Sequence, residues 1–500
     1  MIKRIVNKNC SNQKKIKAIL GGIISGISLG YGIGLIMPIG IGLLWSISSY
    51  PFLCFAWGLL FILFSHSWLL YLHPLSWIGL NDFISLISVV FIWFFCASLG
   101  GLFISIWSII GNFKLFKELR ERNLFSKFVY ALFFSIIWGL FEALIVKTPF
   151  FWIGIGSSTF PDIFVTGLSK VFGVGGLASI QMLTGWFFYQ LFNYRKEKFY
   201  IYSLSTFSIL FFLLIHITGF NLLNSPISTS SLKVTAWQTN IPLNEKFSED
   251  LNKKMTNKIQ KLLSKAKETG SDLFITPEGT LPPHFELLEN SPIDLLSGGF
   301  RYVDNKLRSS VLLFKEGQTD YLSAIDKSRL VPLGESVPDF IKFFGRGLSL
   351  LGGIDKGDSS RFFQFQNNKI AIAICYEISD GNSISQAISQ GANWILTVAN
   401  LDPYPKMLQN QFIRIAQIRS IENNKNLLSV SNTGKTFLIS SSGEVLQSLQ
   451  PFKEETANFK VDLNEELTIY SKFREKPLIL VSILLLLFIF IYEIKLSKLT

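Results

Sequence analysis

Long apolar runs and short alternating ones divide this chain into two kinds of sequence. Runs long enough to cross about 30 Å of hydrocarbon occur at 84–111, 129–146, 172–192, 200–220 and 477–492, and the stretch 18–72 contains no Lys, Arg, Asp or Glu. Within that stretch Gly22, Gly26, Gly30 and Gly34 recur every four residues. This spacing puts them on one helix face and predicts close helix approach.

From about residue 231 the pattern changes. Short β-rich runs bounded by turn residues fall at 232–239, 273–276, 310–314, 370–375, 394–398, 427–431 and 436–440. Between the first two, Leu251, Met255, Ile259, Leu262, Leu263 and Ala266 follow helical spacing, with Glu249 and Asp250 in the first turn and Gly270 as the stop. Strands alternating with helices predict an α/β domain. The Ser- and Asn-rich segment 221–231 leads into it and 464–476 leads out.

Composition sharpens the division. The 500 residues are 49% hydrophobic and only 16% charged, against roughly 25% charged in soluble domains. The net charge of +12 does not point to nucleic acid, because the basic residues cluster in short segments beside apolar runs rather than on one polar face. No cleavable leader is expected: the basic segment 1–17 is followed by an apolar stretch without a clear small-x-small site, read as a retained first span.

The same clusters set the orientation. The basic N-terminus and the group Lys114, Lys117, Arg120, Arg122 and Lys127 should both be cytoplasmic, which requires an even number of crossings between them. Three helices in 18–72 plus 84–111 satisfy this. Arg195, Lys196 and Lys198 are then inside again, 200–220 delivers the polar domain outside, and the last span returns Lys495 and Lys498 to the cytoplasm. The expected organisation is a membrane domain over 1–220 with about seven transmembrane helices, an extracytoplasmic domain over 231–470 and a C-terminal span over 477–494. Glu142 falls near a helix end, where its carboxylate can snorkel to the interface.

Cysteine and histidine usage excludes several chemistries. The cysteines are Cys10, Cys54, Cys96 and Cys375, and the histidines His66, His73, His216 and His284. The polar domain thus holds one of each, too few for an internal disulfide or a Cys/His zinc site. Neither a metal nor a cofactor is expected, and Cys375 is read as a free thiol.

Three polar residues fall where strands are expected to end: Glu278 after Leu-Phe-Ile-Thr-Pro, Lys327 after Ser-Ala-Ile-Asp, and Cys375 after Ile-Ala-Ile-Ala-Ile. Singly, each has a bland reading as a buried small hydrophobe or a solvated charge. Together they are chemically coherent. A thiol needs a base, a carboxylate can take its proton, and a nearby ammonium can stabilise both thiolate and oxyanion. His284, the alternative base, lies in a Pro-rich turn and is expected at the surface or rim.

At these residues the chain resembles a known family. Thr-Pro-Glu278-Gly-Thr-Leu-Pro, Asp-Lys327-Ser-Arg-Leu-Val-Pro-Leu-Gly-Glu335-Ser-Val-Pro and Ile-Cys375-Tyr376-Glu377 resemble the three signature blocks of the nitrilase, or carbon-nitrogen hydrolase, superfamily. The extended lysine block, with membrane spans on both sides, is similar to its membrane branch, the apolipoprotein N-acyltransferases, as are Gln238-Thr-Asn240-Ile-Pro242 and Pro149-Phe-Phe-Trp152-Ile-Gly-Ile-Gly.

The resemblance implies a multi-spanning α-helical membrane domain plus a nitrilase-like α-β-β-α sandwich in the bacterial cytoplasmic (inner) membrane, with the catalytic domain on the periplasmic side. It also implies a ping-pong reaction from a phospholipid acyl donor, through a thioester on Cys375, to the α-amine of a diacylglyceryl-cysteine lipoprotein. In that scheme Glu278 is general base, Lys327 stabilises the tetrahedral intermediate, Glu335 positions Lys327 or assists proton transfer, the Tyr376 N–H contributes to the oxyanion hole, and Glu377 supports the site. Membrane lipid is a partner, nucleic acid is not, and a monomer is the default expectation.

Two departures bear on specificity. Phe247 stands where the family commonly has Trp, and Asn400-Leu-Asp-Pro-Tyr404 replaces a Trp-Phe pair after the Asn. The competing readings are a membrane-anchored amidase of the same superfamily, for which one span would suffice, and a non-catalytic scaffold or transporter, whose ionisable residues would sit at mid-membrane.

Overall fold

The computed structural model describes residues 12–75, 80–148, 150–160, 162–224, 230–242, 249–331, 335, 354–358, 361–365, 368–402 and 404–497. Phe247 lies outside them. Helices Asn12–Tyr31, Met37–Ile47 and Pro51–Ser65 come from the charge-free stretch, followed by Asp82–Gly111, Leu124–Ile145, Ser169–Asn193, Lys198–Leu223 and, at the far end of the chain, Lys476–Ser497. Five of these are long and apolar enough to cross a membrane: Asp82–Gly111, Leu124–Ile145, Ser169–Asn193, Lys198–Leu223 and Lys476–Lys495. Leu210, Leu214, Leu480 and Leu484 point outward, as lipid-facing side chains must when no water is there to expel.

The glycine repeat works as a contact face with one correction. A Cβ on Gly22 or Gly26 would meet the backbone of Trp57 or Phe61, so these glycines let Asn12–Tyr31 lie against Pro51–Ser65. Gly34 is already past the helix end, in the turn Gly34–Ile36, and meets the carbonyls of Ser158 and Phe160. Glu142 also departs from expectation. It is buried, with Oε1 accepting from Trp138 Nε1 (2.9 Å) and from the Ile155 N–H (3.0 Å). An unsolvated carboxylate is costly inside the membrane region; here it pins the loop after its helix instead of snorkelling.

The polar domain is two six-stranded sheets. The first contains β1 (Ser230–Gln238), β2 (Leu273–Leu281), β3 (Asp294–Val303), β4 (Lys306–Phe314), β5 (Ser323–Asp326) and β12 (Glu455–Leu463), in the order β12-β1-β2-β3-β4-β5. The second contains β6 (Phe362–Phe365), β7 (Asn368–Ile374), β8 (Trp394–Ala399), β9 (Leu427–Ser431), β10 (Phe437–Ile439) and β11 (Val445–Ser448), in the order β11-β10-β9-β8-β7-β6. The triplets β1-β2-β3 and β7-β8-β9 are parallel. Strands β7 and β8, buried over nearly their whole length, read as nearly continuous apolar runs.

Side-chain parity builds the layers. Val234, Ile275, Leu296 and Val311 of the first sheet meet Ile372, Leu396 and Val430 of the second in a shared core. On the other face of the first sheet, Phe274, Leu295 and Leu312 receive Met255, Ile259 and Leu263 of helix Glu249–Glu268. The outer face of the second offers Ala371, Ala373 and Ile395 to helices Gly381–Ser389 and Lys406–Asn423. The result is the α-β-β-α sandwich.

Helix Lys406–Asn423 also seats the sandwich on the membrane helices. Gln411 accepts from Trp152 Nε1 (2.9 Å) and donates to the Ser65 carbonyl (2.8 Å), and Arg414 donates to the Leu29 carbonyl (2.6 Å). Glu422 accepts from the Val174 N–H (2.8 Å). The segment 464–476, expected as a plain linker, holds helix Ile469–Phe473, whose Tyr470 packs over Gly173. With φ +63 and an aromatic ring where a Cβ would stand, position 173 accepts glycine only.

Candidate active site

Cys375 immediately follows β7 and opens the short 3-10 turn Cys375–Ser379 with φ +52. A non-glycine residue adopts that left-handed conformation at a cost of roughly 1–3 kcal/mol unless the surroundings impose it. Glu377 imposes it. Its Oε2 accepts from the Ile374 N–H (2.8 Å) and Arg361 Nη1 (2.6 Å), and its Oε1 accepts from the N–H groups of Ser328 (2.7 Å) and Arg329 (3.1 Å). One buried carboxylate thereby ties the cysteine turn to the residues just after Lys327.

Lys327 follows β5 at its carboxyl end and is 1% exposed. The preceding Asp326 is held by Arg301 (2.7 Å to each oxygen), Ser310 (2.7 Å) and Arg308 (3.0 Å). Burial opposes its charge, but these donors outweigh burial and keep its pKa below the usual carboxylate range. With the backbone fixed, Lys327 Nζ donates to Glu278 Oε1 at 2.8 Å and Glu335 Oε1 at 2.6 Å. Glu335 Oε2 accepts from the Val331 N–H (2.9 Å).

Glu278 does not lie at a strand end, as the sequence suggested, but inside β2, where the register with β3 breaks between Thr276 and Leu281. Gly279 takes φ +68, and Gly298 on β3 lets the Pro277 carbonyl and Glu278 backbone approach where a Cβ would collide. This irregularity turns the Glu278 carboxylate out of the pleat. Its Oε2 accepts from the Asn400 N–H (2.9 Å), just beyond β8. The Asn400 carbonyl in turn lies 3.9 Å from Cys375 Sγ, and Glu278 is near enough for its charge, after burial, to raise the Cys375 pKa.

The electrostatics are those of one cation shared by two carboxylates and a thiol. Burial disfavours the ammonium of Lys327, yet Glu278 and Glu335 outweigh it and hold its pKa well above the ordinary lysine value. Burial, with Glu278 next to it, raises the Glu335 pKa despite Lys327. Burial and then Glu278 push the Cys375 thiol up, more than Lys327 brings it down. The Cys375 thiol is held toward its neutral form near a carboxylate, an arrangement suited to general-base activation rather than to a preformed thiolate.

Aromatic contacts join this centre to the membrane helices. Tyr376 stacks on Trp152 (centroids 5.8 Å apart, planes at 16°) and its hydroxyl donates to the Phe151 carbonyl (2.5 Å). Tyr404 meets Trp68 edge-on at 5.5 Å. Burial raises the Tyr404 pKa, and the charge of Glu335 adds to it, so this departure from the family pattern lies within electrostatic reach of the cluster around Lys327. His284 is exposed, with its ring on Tyr302. Sequence reasoning passed over Arg361, Arg301 and Arg308, and named Asn400 only for the residues that follow it; a polar residue in or beside a strand carries no local mark of the carboxylate it will meet.

The carbon-nitrogen hydrolase family model matches residues 290–467, which include Lys327 and Cys375. An apolipoprotein N-acyltransferase of Prochlorococcus marinus is 44% identical over 478 residues, covering 95% of this chain and 96% of that protein. One of Parasynechococcus marenigrum is 39% identical, covering 92% of this chain and 97% of that protein. Among solved structures, a Saccharomyces cerevisiae member of branch 10 of the nitrilase superfamily is 14% identical with a TM-score of 0.37, over 48% of this chain and 92% of that one. With full-length relatives at this identity, the chain belongs to the apolipoprotein N-acyltransferase family of acyltransferases.

Proposed function

We propose that this enzyme moves an acyl chain from a phospholipid to Cys375 and then to the amino terminus of a diacylglyceryl-cysteine lipoprotein, on the extracytoplasmic side of a bacterial inner membrane. The observation that carries the reading is the Cys375 turn: a lone thiol within electrostatic reach of the paired Glu278 and Lys327, on the face of the sandwich that contacts membrane segments at Trp68, Phe151 and Trp152. A soluble substrate has no use for that placement. The charge pattern calls for eight spans: five are the long apolar helices, and in this reading Asn12–Tyr31 and the shorter Met37–Ile47 and Pro51–Ser65 supply the other three.

In the first half-reaction Glu278 takes the thiol proton as sulfur attacks the donor's ester carbonyl. The oxyanion forms next to Lys327 Nζ and, in this reading, the Tyr376 N–H. The C–O bond to glycerol breaks, and Glu278 returns the proton to the leaving alkoxide, giving a thioester and a lysophospholipid. In the second half the acceptor amine attacks the thioester, loses its proton to Glu278, and forms the amide as the C–S bond breaks and the thiolate is reprotonated. Glu335 and Glu377 act by position, the first on Lys327, the second on the turn.

The test is incubation with phospholipid and no acceptor. A thioester cleaved by neutral hydroxylamine should accumulate on Cys375 and be absent from Cys375→Ala. A diacylated lipopeptide added afterwards should discharge it as amide. Release of free fatty acid without accumulation would instead mark an amidase-like hydrolase, and absence of any adduct would mark a non-catalytic scaffold.

A further inference from the structure

Two residues beyond Lys327, Arg329 leaves the catalytic centre and reaches the membrane segment that follows helix Leu124–Ile145. One guanidinium nitrogen, Nη2, donates to the carbonyls of Thr148 (2.9 Å) and Phe151 (3.3 Å) and to the Tyr376 hydroxyl (3.3 Å), and the guanidinium lies 4.7 Å from the centre of the Tyr376 ring. Its backbone is fixed by Glu377. None of these partners is an anion.

Among the described residues Arg329 has no carboxylate partner, and Nη1 donates to nothing. Lys147, adjacent to Thr148, is exposed and equally lacks a carboxylate among the described residues. Two cations without a carboxylate partner among the described residues therefore meet where Arg329 contacts Thr148, with Tyr376, the sequence neighbour of Cys375, against the same guanidinium. The same short segment exposes Leu144 (60%) and Phe150 (41%), apolar side chains suited to acyl chains. Cations directly bordering outward-facing apolar residues mark the depth at which lipid phosphates lie. Arginine suits that role, because its remaining N–H groups are rigidly aimed and it is always charged.

We infer that Arg329, assisted by Lys147, binds the phosphate of the acyl-donor lipid and so places its ester carbonyl over Cys375. The inference deepens the acyl-transfer reading and rests on it. Phosphate held by Nη1 anchors the headgroup at the interface, with the acyl chains alongside Leu144 and Phe150, so that only the glycerol ester region reaches the thiol. Arg329 is thus a specificity residue for donors that carry a phosphodiester.

The experiment compares thioester formation on full-length enzyme in detergent micelles from two donors with the same acyl chains: phosphatidylglycerol, and diacylglycerol, which lacks the phosphate. The wild type should use phosphatidylglycerol more efficiently. Arg329→Gln should lower the rate with phosphatidylglycerol at limiting donor by about ten- to a hundredfold, the range for losing a hydrogen bond to a charged group, and leave the diacylglycerol rate nearly unchanged. Arg329→Lys should recover part of the loss, and Lys147→Gln should show a smaller loss of the same kind. An equal fall with both donors would mean that Arg329 only supports Tyr376, and no fall with either would mean that it binds nothing in the reaction; both overturn the inference. Added inorganic phosphate that accelerates wild-type turnover of diacylglycerol would show a free-anion site and overturn it as well. Wild-type enzyme that forms no thioester from either donor would instead refute the acyl-transfer reading itself.

Discussion

The backbone N–H of Asn400 holds Glu278 Oε2 at 2.9 Å, while the other oxygen of the same carboxylate faces Lys327 at 2.8 Å. The two residues come from different sheets, β2 of the first and the end of β8 of the second, so the carboxylate is held this way only when the sandwich is closed. Its orientation is set by backbone, which does not rotate, and by an ammonium buried to 1% exposure. Pre-organisation of this kind means that the carboxylate needs little rearrangement when the thiol proton arrives.

Thiol reactivity and acyl transfer should respond in opposite directions to loss of that carboxylate. Burial and Glu278 raise the Cys375 pKa, and Lys327 lowers it. Iodoacetamide alkylation of the wild type should therefore still be rising with pH where an ordinary cysteine, with a pKa of about 8.5, has levelled off. Glu278→Gln should move the alkylation curve to lower pH, and Lys327→Met to higher pH. Acylation from phospholipid should nevertheless fall by about 10²- to 10⁴-fold in Glu278→Gln, because the proton has lost its acceptor. A parallel rise in both rates would exclude Glu278 as the base.

Gly298→Ala tests the irregularity in β2 without touching a reacting group. A Cβ there would press on the Pro277 carbonyl and the Glu278 backbone. Displacing a catalytic group by about 1 Å costs on the order of a hundredfold, so acylation should drop by about 10- to 100-fold while the far-UV circular dichroism spectrum stays that of the wild type. Wild-type rates would show that the carboxylate does not depend on that close approach.

Arg361→Met strands Glu377 as a buried carboxylate without its 2.6 Å cation. Breaking one side of a buried pair typically costs about 3–5 kcal/mol. Chemical denaturation of detergent-solubilised protein should show a loss of that order, and hydrogen exchange should rise first at 374–379, the turn that Glu377 holds. A loss confined to remote strands would mean that the ion pair is not what shapes the turn.

Topology is checked by single cysteines introduced into a background free of the native ones. Asn290 and Glu121 are both exposed, so accessibility depends on compartment rather than burial. A membrane-impermeant maleimide applied to intact spheroplasts should label the cysteine at 290 and spare the one at 121. The reverse result would overturn the span count and the placement of the active site together.

Read without the fold, the sequence already located the long apolar helices and the α/β character of the polar part, and it singled out Glu278, Lys327 and Cys375, which the structure brings into one cluster. Hydrophobic periodicity and the scarcity of cysteine and histidine are properties of the chain, visible before it folds. Periodicity fails where tertiary context supplies the stability. β3, with Gly298 and Gly299 in its middle, and the edge strand β12, half of it exposed charge and polar side chains, carry too little local pattern to be recognised, yet both pair fully with neighbours. Glu142 read as an interfacial carboxylate because burial cannot be seen from position along a helix. Only the tertiary structure decided that Glu278 lies on a break in register, that Arg361 meets Glu377, and that Asn400 meets both Glu278 and Cys375. The contact between Asn400 and Glu278 joins residues 122 positions apart on different sheets, and only packing those sheets face to face brings them within hydrogen-bond reach.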